Sequence, residues 1–379
     1  MRMEGGATRR GYARRTKPGE TVRWCAIVGL LISTCRGGLV ALGCIGMAIV
    51  AGRSQSAQGA EPKKLERYEF TEVHMGAEIR VVLYSADAAT ANRASRAAYE
   101  RIAALNKILS DYDPKSELSS LSATAGSGRT VPIGNDLFVV LDRSQKLAAA
   151  TDGAFDVTVG PLVKAWRSAR RTKTFPSDER LEKARAAVGY RNLVLDESAH
   201  TAQLLRPDML LDLGGIGMGY AADEALKVLR ANDVAIAMID ASGDVACGDA
   251  PPGRDGWRIG IAPLTESKGP PSRYVTLKNA ALTTSGDAFQ FVEIDGKRYS
   301  HIVDPHTGLG LTTRMSVTVV AGDCTTADSL ATAVSVLGPE RGLKLIEETP
   351  GAAALIVRAE VGGIQTEQSK SFVSDPATE

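Results

Sequence analysis

Cysteine and histidine are scarce in this sequence, five and four among 379 residues. Three of the cysteines (Cys25, Cys35, Cys44) lie near the N-terminus, which leaves Cys247 and Cys324 in the body. Two are too few for a disulfide scaffold or a thiolate metal cluster, so each reads as a small buried side chain or as half of one pair in an oxidising compartment. There is no internal repeat, and no apolar run reaches the roughly 20 residues of a spanning helix. Nor is there an excess of one charge, since the formal net is +1. Residues 1–60 hold nine Lys/Arg and two acids, so the remainder carries 36 basic against 42 acidic residues. A mildly acidic body argues against nucleic acid as a partner.

What is present at the N-terminus is a basic start followed by an apolar, glycine-rich run from Trp24 to Ala51, broken only by Arg36. Its core, Gly37 to Ala51, has the length of a signal h-region. Ser54 to Ala60 is a small-residue cleavage zone. Residues 1–60 are therefore expected to be an export signal or an N-terminal membrane anchor. Cys44 follows Ala41-Leu42-Gly43 in the manner of a lipoprotein site that lacks its usual leucine. The body should then face the periplasmic side of an inner membrane.

The stretch that organises the body is Met209-Leu-Leu-Asp-Leu-Gly-Gly-Ile-Gly-Met-Gly-Tyr-Ala-Ala-Asp223. Met209 to Leu211 reads as a buried strand ending in Asp212. Four glycines follow (Gly214, Gly215, Gly217, Gly219), then a helix with Ala222, Ala225, Leu226 and Leu229 on one face. A glycine-rich turn opening a helix lets backbone N–H groups approach an anion, or serves packing alone. Gly217-Met-Gly-Tyr-Ala-Ala222 also matches G-x-G-x-x-A. Its glycines start too far past Asp212, and it stands as a single unit, so a dinucleotide-binding doubly wound sheet is the weaker reading.

Elsewhere the spacing predicts strands over 68–75 and 77–84, a helix over 87–109, a loop over 119–130 and a helix over 135–151. A strand ended by Gly160-Pro161 is expected within 151–162, and the basic run 164–185 reads as an exposed helical pair. Further strands are expected at 234–239, 257–261, 274–277 and 315–320. A hairpin over Asp295-Gly296 comes between the last two. A helix over 326–337, a strand over 352–357 and a mobile tail from 369 complete the chain.

Polar, glycine-punctuated strand ends recur around Asp212, Asp244, Asp287 and Asp304. Tyr112 sits in a turn where it either stacks on a planar ligand or packs the loop. His301 ends a hairpin strand, and an imidazole there is a candidate to take a proton from an attacking hydroxyl. Asp156 lies in an apolar run, where an acid must be hydrogen-bonded or used. Asp328 and Thr332 are four apart and share a helix face, an oxygen pair that suits a hard cation such as Mg²⁺.

Together these segments resemble the ApbE family of flavin transferases. The residues that carry the resemblance are Met75-Gly76; 112–119; Gly153 to Leu162; Asp212 to Asp223; Ser242-Gly-Asp244; Thr284 to Asp287; His301-Ile-Val-Asp-Pro-His-Thr-Gly308; and Ala327 to Thr332. The resemblance implies a single α+β domain over residues 61–368, with mixed or antiparallel sheet and helices outside. It implies Mg²⁺-dependent transfer of FMN from FAD, the substrate, to a Thr or Ser hydroxyl of an acceptor protein in a membrane or exported redox system. By similarity, Asp328, Thr332 and the Gly215 carbonyl would hold the metal. Met75, Tyr112, Ala154, Phe155, Asp156, Asp212, Met218 and Ile302 match flavin-nucleotide positions. His301 is the candidate base. The Met218 slot is often Lys or another polar residue in this family, and methionine supplies neither charge nor donor. FAD hydrolysis to FMN and AMP, or flavin binding without catalysis, are the alternatives.

Overall fold

The computed structural model describes residues 64–264, 269–286 and 290–376. The export segment, its cleavage zone, Cys44 and Asp287 lie outside the described residues. Residues 65–379 form one compact unit.

Alternating apolar residues in 77–85 set the plan. Ile79, Val81 and Leu83 pack towards helices, whereas Val82 packs towards a second, smaller sheet. This strand belongs to an eight-stranded sheet, ordered Glu66–His74, Ala77–Ser85, Ala237–Ala241, Asp244–Cys247, Ala280–Gly286, Met315–Ala321, Ala353–Glu360 and Gly363–Gln368. Every neighbour in it is antiparallel. The fold is therefore α+β, and antiparallel order excludes a dinucleotide-binding βαβ unit. Hairpin turns carry positive φ at both central residues, Met75 (51°) with Gly76 (76°) and Asp295 (51°) with Gly296 (73°). This turn geometry matches the right-handed strand twist.

Seven helices are described: α1 (Ala88–Leu109), α2 (Glu117–Ser122), α3 (Asn135–Ala150), α4 (Gly160–Thr172), α5 (Asp178–Ala186), α6 (Gly217–Ala231) and α7 (Cys324–Glu348). One face of the main sheet is covered by α1, α6 and α7, which bury Ile102, Leu229 and Val334 against it. The opposite face takes a three-stranded sheet, Trp257–Ile261, Arg273–Leu277 and Asp375–Pro376, through Trp257, Val275 and Leu277. Helix α7 is capped by Asp323, whose carboxylate accepts from the Thr326 N–H at 2.8 Å. It breaks at Gly338 (φ 75°) before Pro339 and then resumes.

Several expectations are corrected. Met209 and Leu211 are buried and Leu210 is half-buried, but the run makes only a parallel bridge, Leu210 with Val159, rather than a strand. Gly160-Pro161 opens α4 instead of stopping a strand, because proline at a first helical turn costs no hydrogen bond. The loop 119–130 begins inside α2, which the Ser116 hydroxyl caps at the Ser119 N–H. Residues 369–376, expected to belong to a mobile tail, make specific contacts with the body. There Ser369 exchanges hydrogen bonds with Ala354, Phe372 is buried, and Asp375–Pro376 pairs with Arg273–Tyr274.

Candidate active site

Two adjoining cavities, about 1580 and 350 Å³, open where α6, α7, the α1 end and the 300–305 loop meet the sheet. Met75, Tyr112, Met218, His301, Ile302 and Thr332 line both. Ala154, Phe155, Asp156, Asp212 and Gly215 line the smaller, and Asp328 the larger. Twelve residues spread over more than 250 positions of sequence thus line two adjoining cavities.

The join between the cavities is built by glycine. At Gly219 an added Cβ would lie 2.4 Å from the Cys324 carbonyl and 2.8 Å from the Asp328 Cβ, so only glycine lets α6 cross α7 this closely. In return the Gly219 N–H donates to Asp328 Oδ2 at 3.0 Å. At Gly215 an added Cβ would meet the Thr332 hydroxyl at 2.8 Å, which brings the Gly215 main chain and the Thr332 oxygen side by side. Asp223, one turn along α6, accepts from the Cys324 and Thr325 N–H groups, each at 2.8 Å, and so fixes the start of α7.

Carboxylate crowding marks this region. Asp328 is buried, and burial first, then the Asp244 and Asp223 charges, push its carboxyl well above the usual range. Asp244 is pushed up to about 7 by burial and by Asp240, against a hydrogen bond from Thr283. No ion pair from a Lys or Arg to either carboxylate is found among the described residues. Nor do those residues include a group of three or more His, Cys, Asp or Glu able to cage a metal. Two acids that line one cavity with the Thr332 hydroxyl, which the Gly215 main chain adjoins, offer the partial oxygen shell that Mg²⁺ uses when substrate phosphates and water supply the rest. A cation also removes the cost of two facing charges in a buried place, so the residues present fit one.

At the smaller cavity the decisive residue is one that the sequence reading put on a solvated face. Arg167 of α4 donates to Asp212 Oδ2 at 2.9 Å, pairs with Asp111, and lies 4.3 Å over the Tyr112 ring. Asp212 also accepts from the Gly214 N–H at 2.9 Å. Burial and the Asp111 charge raise its carboxyl, while Arg167 and that N–H pull it down. Val163, Arg167 and Arg170, spaced four and three along α4, all line this cavity. That spacing was the available signal, hidden by the surrounding charge run.

Asp156 serves the wall. Its Oδ1 accepts from the Thr158 N–H (2.8 Å) and hydroxyl (2.7 Å), and its Oδ2 from the Tyr190 N–H (2.7 Å). Asp304 likewise holds its own turn through the His306 N–H at 2.9 Å. At His301, Nδ1 lies 3.1 Å from the Gln290 carbonyl. Met218 lines both cavities as an apolar side chain packed on the core.

The ApbE family model matches residues 75–356 of this chain. The chain belongs to the ApbE family. It is 32% identical over 309 residues to the FAD:protein FMN transferase of Treponema pallidum, covering 78% of this chain and 85% of that one. The solved flavin transferase ApbE from Vibrio cholerae superposes with a TM-score of 0.73 at 28% identity, covering 82% of this chain and 99% of the other. The ApbE protein from Thermotoga maritima gives 0.72 at 31%, with 81% and 98% covered. The ApbE fold thus spans the sheet-and-helix body, and every residue lining the two cavities except Arg67 lies within the matched segment.

Proposed function

We propose that this protein is a Mg²⁺-dependent transferase that moves FMN from FAD to a Thr or Ser hydroxyl of an exported acceptor protein, releasing AMP. The observation that carries the proposal is the pairing of two kinds of site at one junction. A nucleotide-sized recess with Arg167, Asp212 and Tyr112 adjoins an acidic oxygen cluster of Asp328, Asp244 and Thr332. Family membership and relatives named for this activity support the same reading.

In this reading the acceptor oxygen forms a bond to the FMN phosphorus of the FAD pyrophosphate. The bridging P–O bond breaks, and AMP leaves with the electron pair. His301 takes the hydroxyl proton, its ring anchored where Nδ1 lies beside the Gln290 carbonyl. Tyr112, stiffened by Arg167 above its ring, gives a flat surface for a ring system. Asp212, held on both oxygens, fixes the polar edge of the recess. Asp328, Asp244, Thr332 and the Gly215 carbonyl would hold Mg²⁺, which supplies charge neutralisation for the pyrophosphate. Export to the periplasmic side, by cleavage or anchoring at residues 1–60, is part of the proposal and rests on the composition of that segment.

The test is to mix the protein with FAD and Mg²⁺, with and without an acceptor domain, and to measure AMP and covalent FMN. Adduct with AMP is the expected result. AMP without adduct would make the protein a hydrolase, and neither product would leave it a flavin-binding protein. Asp328→Ala should abolish both products while FAD binding survives.

A further inference from the structure

The larger cavity exceeds the roughly 300–1,000 Å³ that a small-molecule site usually needs, at about 1580 Å³. Its floor and its wall differ in kind. On the floor, Glu78, Arg80, Val82 and Tyr84 alternate along one strand, so that strand presents a face. On the wall, Gly256, Trp257, Arg258, Ile259 and Gly260 line the space consecutively. Consecutive lining means that the cavity is bordered by the edge of the strand Trp257–Ile261. That strand is the last of its three-stranded sheet and pairs only with Arg273–Leu277 among the described residues.

The direction of its main chain follows from one bond. The Ile261 carbonyl accepts from the Ser272 N–H at 2.9 Å, so it faces the paired side. Main-chain groups alternate in direction along an antiparallel strand, so those of Arg258 and Gly260 face away from the sheet. Both residues are exposed. An open edge offering N–H and C=O groups is a template for an added strand. Arg254 and Arg258 stand at this wall, and no carboxylate among the described residues pairs with either.

We propose that the acceptor protein docks by adding an extended segment, acidic beside its reactive Thr or Ser, to the Trp257–Ile261 edge. This would present the hydroxyl at the His301 end of the same cavity. The inference rests on the transferase reading above. It gives the enzyme a way to accept different proteins through main-chain bonds, with charge beside the hydroxyl setting preference.

The probe is an exported acceptor domain that the wild-type enzyme loads with FMN, scored by intact mass. Arg258→Pro removes one outward N–H and should raise the acceptor KM by about tenfold, whereas Arg258→Ala keeps the N–H and should raise it by about twofold. FAD affinity, read from flavin fluorescence, should be equal in all three proteins. Equal KM for the proline and alanine variants overturns the proposal, as does a parallel loss of FAD affinity. Should the proline variant not fold, hydrogen exchange on the wild-type protein replaces it, using the acceptor with its reactive Thr changed to Val. Slowed exchange at Arg258 and Gly260 only when acceptor is added is expected. Unchanged exchange, or protection already present without acceptor because another part of the chain covers the edge, overturns it. A wild-type enzyme that loads no acceptor at all defeats the transferase reading instead, and the two failures are thereby distinct.

Discussion

Arg167 holds the smaller cavity in shape because it answers two carboxylates at once, and one of them, Asp212, is 9% exposed. Removing one partner of such a pair leaves a desolvated charge behind, so Arg167→Ala should cost about 2–3 kcal/mol, less than a fully buried pair because Arg167 itself reaches solvent. The sign with pH is fixed by Asp212. Its folded carboxyl is already raised by burial, and losing Arg167 raises it further. A raised acid stabilises the fold below its unfolded pKa and loses that contribution as pH rises through the folded one. The melting-temperature deficit of the variant should therefore be largest at neutral pH and shrink on acidification. A deficit that grows in acid would show that Asp212 is not the group left exposed to repulsion. Asp328 gives the complementary case. Asp328→Asn keeps an oxygen for the Gly219 N–H and removes the crowded charge. The variant should melt higher than wild type without metal at neutral pH, and Mg²⁺ should raise the melting temperature of wild type only. A Mg²⁺ shift of equal size in both would remove Asp328 from the cation site.

At the scale of elements, α6 against α7 is the contact on which the site depends. Gly219→Ala puts a methyl into the Cys324 carbonyl, which is backbone and cannot swing aside. The helices must separate, so a loss of about 1–3 kcal/mol is expected, together with loss of turnover, since Asp328 and the Gly215–Thr332 approach move with them. Gly217→Ala is the control. Its Cβ would meet only Leu213 Cβ at an ordinary 3.6 Å, and it lies in the same turn. Chemical denaturation of both variants checks this, and equal stability would mean that the crossing is looser than described. The same pair explains what the sequence disclosed. Ala222, Ala225, Leu226 and Leu229 recur at helical spacing and are all buried in α6. The glycine turns at 75–76 and 295–296 likewise mark real hairpins. Spacing of this kind is local, and local patterns are readable. Met209 to Leu211 departs from the strand expected of it because a short apolar run looks alike as strand or connection. Its fate was decided by what it packs against, Ser122 and Val157, whose groups bond Leu211 and Asp212.

For the whole molecule, the cavities could be assembled in advance only through resemblance to a family. No spacing rule brings Asp244 to Asp328 or Arg167 to Asp212, which meet through sheet order and helix crossing. Where chain-wide packing contradicts composition, packing wins, and the C-terminus is the clearest instance. A polar stretch past Gln368 reads as loose, yet Phe372 is 4% exposed among Val275, Leu277 and Leu355, between the small sheet and the main one. Asp375–Pro376 then completes the small sheet's other border. Burying a phenylalanine and then deleting it typically costs about 3–5 kcal/mol. Phe372→Ala should fall at the lower end, since the site borders a sheet joint that can settle inward. Truncation after Gln368 should cost more, because it also removes the Ser369 bonds to Ala354 and the pairing with Arg273–Tyr274. Both proteins can be followed by urea denaturation, with acceptor KM measured beside it. If the small sheet carries the acceptor edge, the truncated protein should lose acceptor affinity before it loses FAD affinity. A truncation that leaves the urea midpoint unchanged would return residues 369–376 to the mobile tail that their composition suggests.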